Sequence, residues 1–540
     1  MRLIVVGGVA AGMSAAARAR RLDESAEIIV LERGPHVSFA NCGLPYFVGG
    51  EIPNESDLLV QTPQSLQQSL NLDVRVNHEV TAVDTAAKVI TVNGYSLKYD
   101  ALVLAPGATA VRPPIPGLDL PHVHTLRSVG DAVEVASVAK QPGNAVILGA
   151  GFIGVEAAEA LAFRGWNVSI VELAEHVLPP VEREIASIAT RELERLGIHV
   201  IAGVGASEVS ATQVLLTDGR QLDADLIILS AGVRPDTEIF ADAGIETKNG
   251  AIVIDRHGRT SAPHVWAAGD AAVLHDMNRP VALAGPANRG GRYIADDIFT
   301  PELARKFPTP LGTAIVRIGK LTVAMTGANR AALAGRTYHT IHLHPTQHAG
   351  YFPGAQAMSL LVHYGVDGTV MGAQAAGTDG VDKRIDVLAT AIRAGMTVDD
   401  LIDLDLSYAP PYGSAKDAIN MAGMIGQNVL DGEIRLWYAS DLPWAQENAL
   451  IIDVRSEAEF ASGHLPGALC VPHTQIRARL DQITAAADGR PIRLICKSGM
   501  RSYLAYRILA QQGIDVATFS GGMTTLADTL GPTLVVEKGM

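Results

Sequence analysis

Two cysteines in unlike settings are the residues of this chain best suited to chemistry. Cys42 lies in Ser38-Phe39-Ala40-Asn41-Cys42-Gly43-Leu44-Pro45-Tyr46, and Cys496 in Cys496-Lys497-Ser498-Gly499-Met500-Arg501-Ser502. The thiolate is the nucleophile, so either sulfur needs a positive field to ionise it. A helix beginning over Cys42-Gly43-Leu44 is expected to aim its positive end at the first sulfur. The bland alternative is a buried small hydrophobe, the common fate of free cysteine; the polar Asn41 and the flanking Gly43 argue against it. At Cys496 the loop is short and polar, and Gly499 lets amide groups turn inward. Backbone N–H donors together with Arg501 would hold a thiolate or persulfide there. Cys470, in Ala468-Leu469-Cys470-Val471, is expected to be plain core.

Elements that would position such sulfurs precede and follow them. A short apolar strand over residues 2–6 leads into Gly7-Gly8-Val9-Ala10-Ala11-Gly12, an alanine-rich helix, and a second strand ending at Glu32, 20 residues past Gly12. This is the βαβ pattern of a dinucleotide site with its ribose-binding acid, although Val9 replaces the usual middle glycine. Taken alone, the motif also suits a glycine-bearing turn without a ligand. The pattern recurs without the departure: strand 146–148, then Gly149-Ala150-Gly151-Phe152-Ile153-Gly154, a helix through Phe163, and strand 168–171 ending at Glu172. Two units imply two dinucleotides, with phosphate facing each helix N-terminus. A carboxylate at Glu172 accepts from a ribose 2′-hydroxyl and repels a 2′-phosphate. No arginine occurs in residues 173–176, so NADH is expected over NADPH. Two further apolar strands end in small residues, at Ala105-Pro106-Gly107 and at Ser230-Ala231-Gly232. In Val265-Trp266-Ala267-Ala268-Gly269-Asp270 a strand delivers an aspartate to a sheet end, where a hydroxylated chain could be met. An N-cap role for Asp270 is the other reading, and the two are compatible.

With 540 residues the chain is too long for one core, and three or four domains are expected. The net charge of −14 argues against nucleic-acid binding. Three cysteines cannot make a disulfide framework, which points to a reducing, cytoplasmic setting. The apolar N-terminus could pass for a signal peptide, but its glycines and the arginines at 18, 20 and 21 suit a strand, turn and helix better. Residues 144–163 carry Glu156 and Glu159, so no membrane span is expected. No metal site is read. Arg18, Arg20 and Arg21 either solvate a helix face or meet phosphate charge. Residues 306–437 differ in texture, with turn-rich Tyr351-Phe352-Pro353-Gly354 and Tyr408-Ala409-Pro410-Pro411-Tyr412, which suit a loop near a site or interface. A tail of about 100 residues then begins anew, enough for an α/β domain.

These segments resemble the FAD- and NAD(P)H-dependent disulfide reductases. The resemblance rests on the glycine turn at 7–12, Asn41-Cys42-Gly43-Leu44-Pro45-Tyr46, the fingerprint at 149–154, Gly269-Asp270, Tyr351-Phe352-Pro353-Gly354, Lys383-Arg384-Ile385-Asp386 and Tyr408-Ala409-Pro410-Pro411-Tyr412. A single cysteine, with Phe47 where the second of a Cys-x4-Cys pair would stand, looks like the coenzyme A disulfide reductase branch, which also holds NADH oxidases and peroxidases. The tail resembles a rhodanese domain through Asp453-Val454-Arg455, Gly463-His464-Leu465-Pro466-Gly467-Ala468 and the Cys496 loop. The resemblance implies an α/β protein with an FAD-binding domain (1–112 and 245–305), an NAD(H)-binding domain (113–244), both Rossmann-like, an α+β dimerisation domain (306–437) and a rhodanese domain (438–540). It implies that Glu32, Arg33, Ala105, Gly107, Gly269 and Asp270 hold FAD. Cys42 would rest as a mixed disulfide with coenzyme A, lined by Ser14, Arg18, Arg21, Ser38, Asn41 and Lys416. Tyr351 and Tyr408 would reach the partner subunit's Cys42 in a homodimer, although many relatives carry two tyrosines where this chain has Tyr351-Phe352. The implied activity is NADH-dependent reduction of coenzyme A persulfide or polysulfide, with Cys496 relaying sulfane sulfur. Simple coenzyme A disulfide reduction, NADH oxidation through a Cys42 sulfenic acid, and a sulfur-relay or sensor protein with little turnover are the alternatives.

Overall fold

The structure, a computed structural model, describes residues 1–538 and divides into two compact units. The first comprises Met1–Ala174 with Leu196–Gly312, the second Glu175–Arg195 with Thr313–Met540.

In the first unit, short runs of branched apolar residues form two parallel sheets, each covered on both faces, as parallel sheets require. One runs Val265–Ala267, Ala101–Leu104, Arg2–Val6, Glu27–Leu31, Asp73–Arg75. The other runs His199–Ala202, Asn167–Glu172, Asn144–Leu148, Leu226–Leu229, Val123–His124. In each, the central strand (Arg2–Val6 or Asn144–Leu148) feeds a glycine turn and then a helix, Ala10–Leu22 or Phe152–Phe163. The alanines of Ala10–Leu22 let another helix, Ala284–Phe299, approach closely: a Cβ on Gly291 would lie 2.1 Å from the Ala11 carbonyl oxygen. Arg20 does not solvate a helix face. It is 4 % exposed and donates to the carbonyls of Leu70, Asn71, Asp23 and Glu24, fastening the next segment to the helix.

In the second unit an antiparallel sheet runs Ala314–Ile318, Leu321–Gly327, Val370–Gly377, Ser359–Gly365, Tyr338–Leu343. Helix Val381–Ala394 packs on it, and Arg384, 1 % exposed, is paired with Asp417 at 2.6 Å. A C-terminal parallel sheet runs Leu436–Trp437, Val516–Phe519, Ile492–Ile495, Leu450–Asp453, Leu469–Cys470. Cys470 is half-buried on its edge strand, not core as expected, because an edge position leaves one side open. The architecture is therefore the expected one: two Rossmann-type sheets, an α+β layer and a C-terminal α/β domain. Among the described residues no helix is long and apolar enough to cross a membrane.

Candidate active site

The two glycine turns are built alike. Gly7 and Gly149 have φ of +100° and +107°, conformations that L side chains rarely adopt. A Cβ on Gly12 would lie 1.9 Å from the Gly7 oxygen, and one on Gly154 2.0 Å from the Gly149 oxygen, so helix and turn can meet only through glycine. Gly151 is different: an added Cβ would meet nothing within 4 Å. The protein's own packing does not demand glycine there, which fits a turn kept bare for close approach by a pyrophosphate. Val9 holds the matching place in the first turn. Neither helix has a side-chain cap or an acid in its first turn, although Thr62, Ser128, Thr397 and Ser456 cap other helices. Uncapped N–H groups at the positive end of a helix suit phosphate.

Glu32 accepts from the Gly8 and Gly34 amides, both at 2.8 Å, and Glu172 from the Ala150 and Ala174 amides at 2.6 and 2.8 Å. Each carboxylate thus ties its turn to the strand end and keeps lone pairs for a ribose hydroxyl. Ala105 and Gly107 follow strand Ala101–Leu104 toward the first turn, and a Cβ on Gly7 would lie 2.0 Å from the Ala105 oxygen. Arg33 is paired with Asp236. Asp270 lies inside the short helix Gly269–Ala271 and is not its cap, which corrects the N-cap reading. It is ion-paired instead with Arg127 at 2.8 Å. With the Asn41 amide oriented to satisfy its neighbours, Asn41 donates to the Arg127 carbonyl and accepts from its guanidinium at 2.9 and 3.2 Å. A polar chain therefore runs Asp270–Arg127–Asn41 to the residue before Cys42.

Cys42 is exposed and opens on a cavity of about 750 Å³. Ser14, Arg21, Ser38 and Asn41 line it, together with Asn288 and Arg292 of helix Ala284–Phe299. The Ser14 hydroxyl donates to Asn288 at 2.7 Å. Ser38 sits at φ +49°, held by the hydrogen bond its backbone N–H donates to the Gly8 carbonyl at 2.8 Å. Arg18 is not in the lining; its guanidinium is spent on Asp296 at 2.6 Å. Lys416 belongs to the second unit. The cysteine precedes a helix of only six residues, Leu44–Gly49, and its thiol is pushed up, not down as expected. Partial desolvation is the main cause, followed by the Glu156 carboxylate; Arg127 opposes them. A short helix carries too little field to outweigh both.

In the second unit Tyr351 and Tyr408 are brought together, hydroxyl to hydroxyl at 3.2 Å, both exposed. That bond, above all, raises the Tyr351 phenol above its ordinary value.

Cys496 is the opposite case, 1 % exposed beneath its loop. Gly499, at φ +101°, and Ser502 donate backbone N–H groups to its sulfur at 3.2 and 3.4 Å. The thiol donates to the Ser502 hydroxyl at 3.3 Å, which in turn accepts from Thr518 at 2.7 Å. Helix Met500–Ala510 begins directly after Gly499. Arg501 forks onto Glu459 at 2.7 and 2.8 Å, which holds the Glu459 carboxyl down at about 2. The expected backbone cage is present, and the arginine reaches it already paired. Sequence reading missed Arg127, Glu156, Asn288, Arg292, Glu459 and Thr518. The first five come to the cysteine sites only through the fold, Glu459 by way of Arg501; Thr518 sits in a plain apolar strand.

The model for pyridine nucleotide-disulphide oxidoreductases matches residues 1–291, that for their dimerisation domain residues 313–418, and that for rhodanese-like domains residues 438–528. A coenzyme A disulfide reductase of Staphylococcus haemolyticus is 33 % identical over 438 residues, covering 78 % of this chain and 98 % of that protein. The crystal structure of reduced CoADR-RHD from Bacillus anthracis superposes with a TM-score of 0.96 at 37 % identity, covering 99 % of both chains. An NAD-dependent persulfide reductase from A. fulgidus superposes at 0.89 with 33 % identity, covering 97 % of this chain and 100 % of that one.

Proposed function

The chain belongs to the pyridine nucleotide-disulphide oxidoreductases and carries a rhodanese-like domain, and on that footing we propose that it oxidises NADH to reduce coenzyme A persulfide or polysulfide through Cys42. Cys496 would carry the sulfane sulfur to or from coenzyme A, hydrosulfide would be the product, and the enzyme would work as a homodimer. The observation that carries this reading is an exposed cysteine beside a cavity bearing two arginines. The names of the relatives add the substrate class: coenzyme A disulfide for one, persulfide for another.

FAD held by the Gly7–Gly12 turn, Glu32 and Asp270 would supply two-electron reduction of a disulfide sulfur. Glu172, with both oxygens turned to backbone amides beside the second turn, favours a 2′-hydroxyl and so NADH. Arg21 and Arg292 would take the phosphates of coenzyme A as charge-assisted pairs, with Ser14, Ser38, Asn41 and Lys416 as further contacts. The Cys42 thiolate attacks the inner sulfur of the persulfide and releases hydrosulfide, leaving the Cys42–S–S–CoA bond. Two electrons and one proton then return the thiolate and free coenzyme A thiol. Tyr351 and Tyr408, brought to the site by the partner subunit, would give the proton to the leaving sulfur. The raised Tyr351 phenol keeps that proton at neutral pH.

Purified protein should be yellow, and steady-state NADH oxidation should give its highest kcat/KM with coenzyme A persulfide, compared with coenzyme A disulfide and oxygen. A preference for disulfide or oxygen moves the assignment to those substrates, and a colourless protein that leaves NADH untouched ends it.

A further inference from the structure

The loop that cages Cys496 is braced from outside its own domain. Its carbonyls are engaged by the segment that follows strand Val516–Phe519: Met523 donates to the Cys496 oxygen at 2.8 Å and Thr524 to the Lys497 oxygen at 3.0 Å. Because a trans peptide sets N–H opposite C=O, fixing those two oxygens turns the Lys497 and Ser498 amides away from that segment. The joint is a diglycine with no slack. Gly521 and Gly522 have φ of +74° and +66°. A Cβ on Gly522 would lie 2.5 Å from the Cys496 oxygen, and one on Gly521 2.8 Å from the His342 Cβ.

His342, on strand Tyr338–Leu343 of the antiparallel sheet, grips the residue before that joint. Its backbone N–H donates to the Ser520 hydroxyl at 3.1 Å, and its Nδ1 pairs with the same oxygen at 2.9 Å. Its Nε2 meets Glu184 at 2.8 Å. Burial opposes the charge on Glu184, but His342 and Arg330 outweigh it and hold the carboxyl well below the usual range. His342 and Ser520 are both buried, and nothing in the sulfur chemistry above uses them.

We infer that His342 is a positioning residue for Cys496: it fixes Ser520, Ser520 fixes the Gly521-Gly522 joint, and the joint sets the posture of the sulfur-binding loop. The inference rests on reading Cys496 as a sulfur carrier. A thiosulfate-to-cyanide assay on the full-length protein tests both. The Cys496 thiolate takes the outer sulfur of thiosulfate and releases sulfite; cyanide then removes that sulfur as thiocyanate and restores the thiolate.

The amide of asparagine reaches the place of a histidine Nδ1, and that of glutamine the place of Nε2. His342→Asn therefore keeps the side-chain contact with Ser520 and loses Glu184, while His342→Gln does the reverse; the backbone bond from residue 342 to Ser520 remains in both. Ser520→Ala removes a single oxygen. Ser520→Ala and His342→Gln should lower kcat about threefold to tenfold, the factor one net hydrogen bond carries, with KM for thiosulfate unchanged. His342→Asn should keep wild-type kcat while melting at least as early as His342→Gln, because it takes one of its two partners from a buried carboxylate and leaves only Arg330. A purely structural histidine would make kcat follow melting temperature. Equal kcat in the two histidine variants, or a wild-type Ser520→Ala, overturns the positioning role. Wild-type protein that forms no thiocyanate overturns the sulfur-carrier reading and the inference with it.

Discussion

Cys42 and Cys496 show two ways of preparing a sulfur. Cys42 is exposed at an open cavity, and its own surroundings work against ionisation through desolvation and the Glu156 carboxylate. Cys496 is sealed beneath backbone donors at 3.2 and 3.4 Å. On the proposed reading Cys42 exchanges disulfides with a bulky nucleotide, so it needs access first, and its thiolate would appear only when the disulfide is reduced. A sulfur that must hold a second, anionic sulfur needs fixed donors before its cargo arrives, since donors already in place cost no reorganisation. The difference lies in what each site preorganises: room at Cys42, N–H groups at Cys496.

Breaking one site should leave the other intact. Cys42→Ser should lower NADH-driven reduction of coenzyme A persulfide by at least about a thousandfold, the scale of losing a covalent nucleophile, while thiosulfate-to-cyanide transfer persists. Cys496→Ser should do the converse and spare NADH oxidation with coenzyme A disulfide. Full NADH-driven activity in Cys42→Ser would dissolve the comparison. Arg501→Gln tests how much the cage owes to charge. It removes a forked pair with Glu459 and should cost sulfur transfer about tenfold to a hundredfold. A smaller loss would assign the work to the Gly499 and Ser502 amides alone.

What the sequence disclosed followed from how tightly a residue type is tied to backbone geometry. Gly7, Gly12, Gly149 and Gly154 were legible because a Cβ would strike backbone at each, and Glu32 and Glu172 because each closes its turn. Gly499 marked the Cys496 loop for another reason, its φ of +101°, which L side chains rarely adopt. The α+β layer followed only from the family resemblance, and the C-terminal α/β domain from the length of the tail and its resemblance to a rhodanese domain. Side chains that meet only through the tertiary fold were not legible. Arg127 and Glu156 reach Cys42 from other segments, and Glu459 reaches Arg501 from another helix. Arg20 beside Arg21 reads as a charged face, yet Arg20 caps backbone carbonyls while Arg21 lines the cavity. The ionisation of Cys42 was misjudged because that helix was read without its length.

Acid should loosen the Cys496 brace. Burial, then the neighbouring His342, lowers the His344 ring to about 4, and its Nε2 meets Thr525 at 2.8 Å. An ordinary histidine titrates near 6.5, so between pH 6.5 and about 4 the unfolded chain binds the extra proton and stability falls as pH falls. The full loss is on the order of 3 kcal/mol. Glu184, held below the usual carboxylate value, adds to it in the same direction at lower pH. Calorimetric melts across this range should fall more steeply for wild type than for His344→Gln. Equal slopes would place the acid sensitivity elsewhere.

The smallest expected effect is also the sharpest test of why Cys42 differs. Tyr46 donates to Glu156 at 3.4 Å, and a glutamine can still accept that bond. Glu156→Gln therefore removes a charge while keeping a shape. A carboxylate near a thiol disfavours the thiolate, so its loss must lower the pH at which Cys42 ionises. Below that pH the thiolate fraction grows with every such lowering, and the rate of alkylation by iodoacetamide grows with it; at high pH, where the sulfur is already ionised, the two proteins should coincide. Reduced Glu156→Gln protein should react severalfold faster than wild type near pH 7 and equally fast in alkali, with Cys496 unchanged because its donors are backbone amides. An equal rate at neutral pH would mean that desolvation alone restrains Cys42, and that the two cysteines differ in exposure more than in charge.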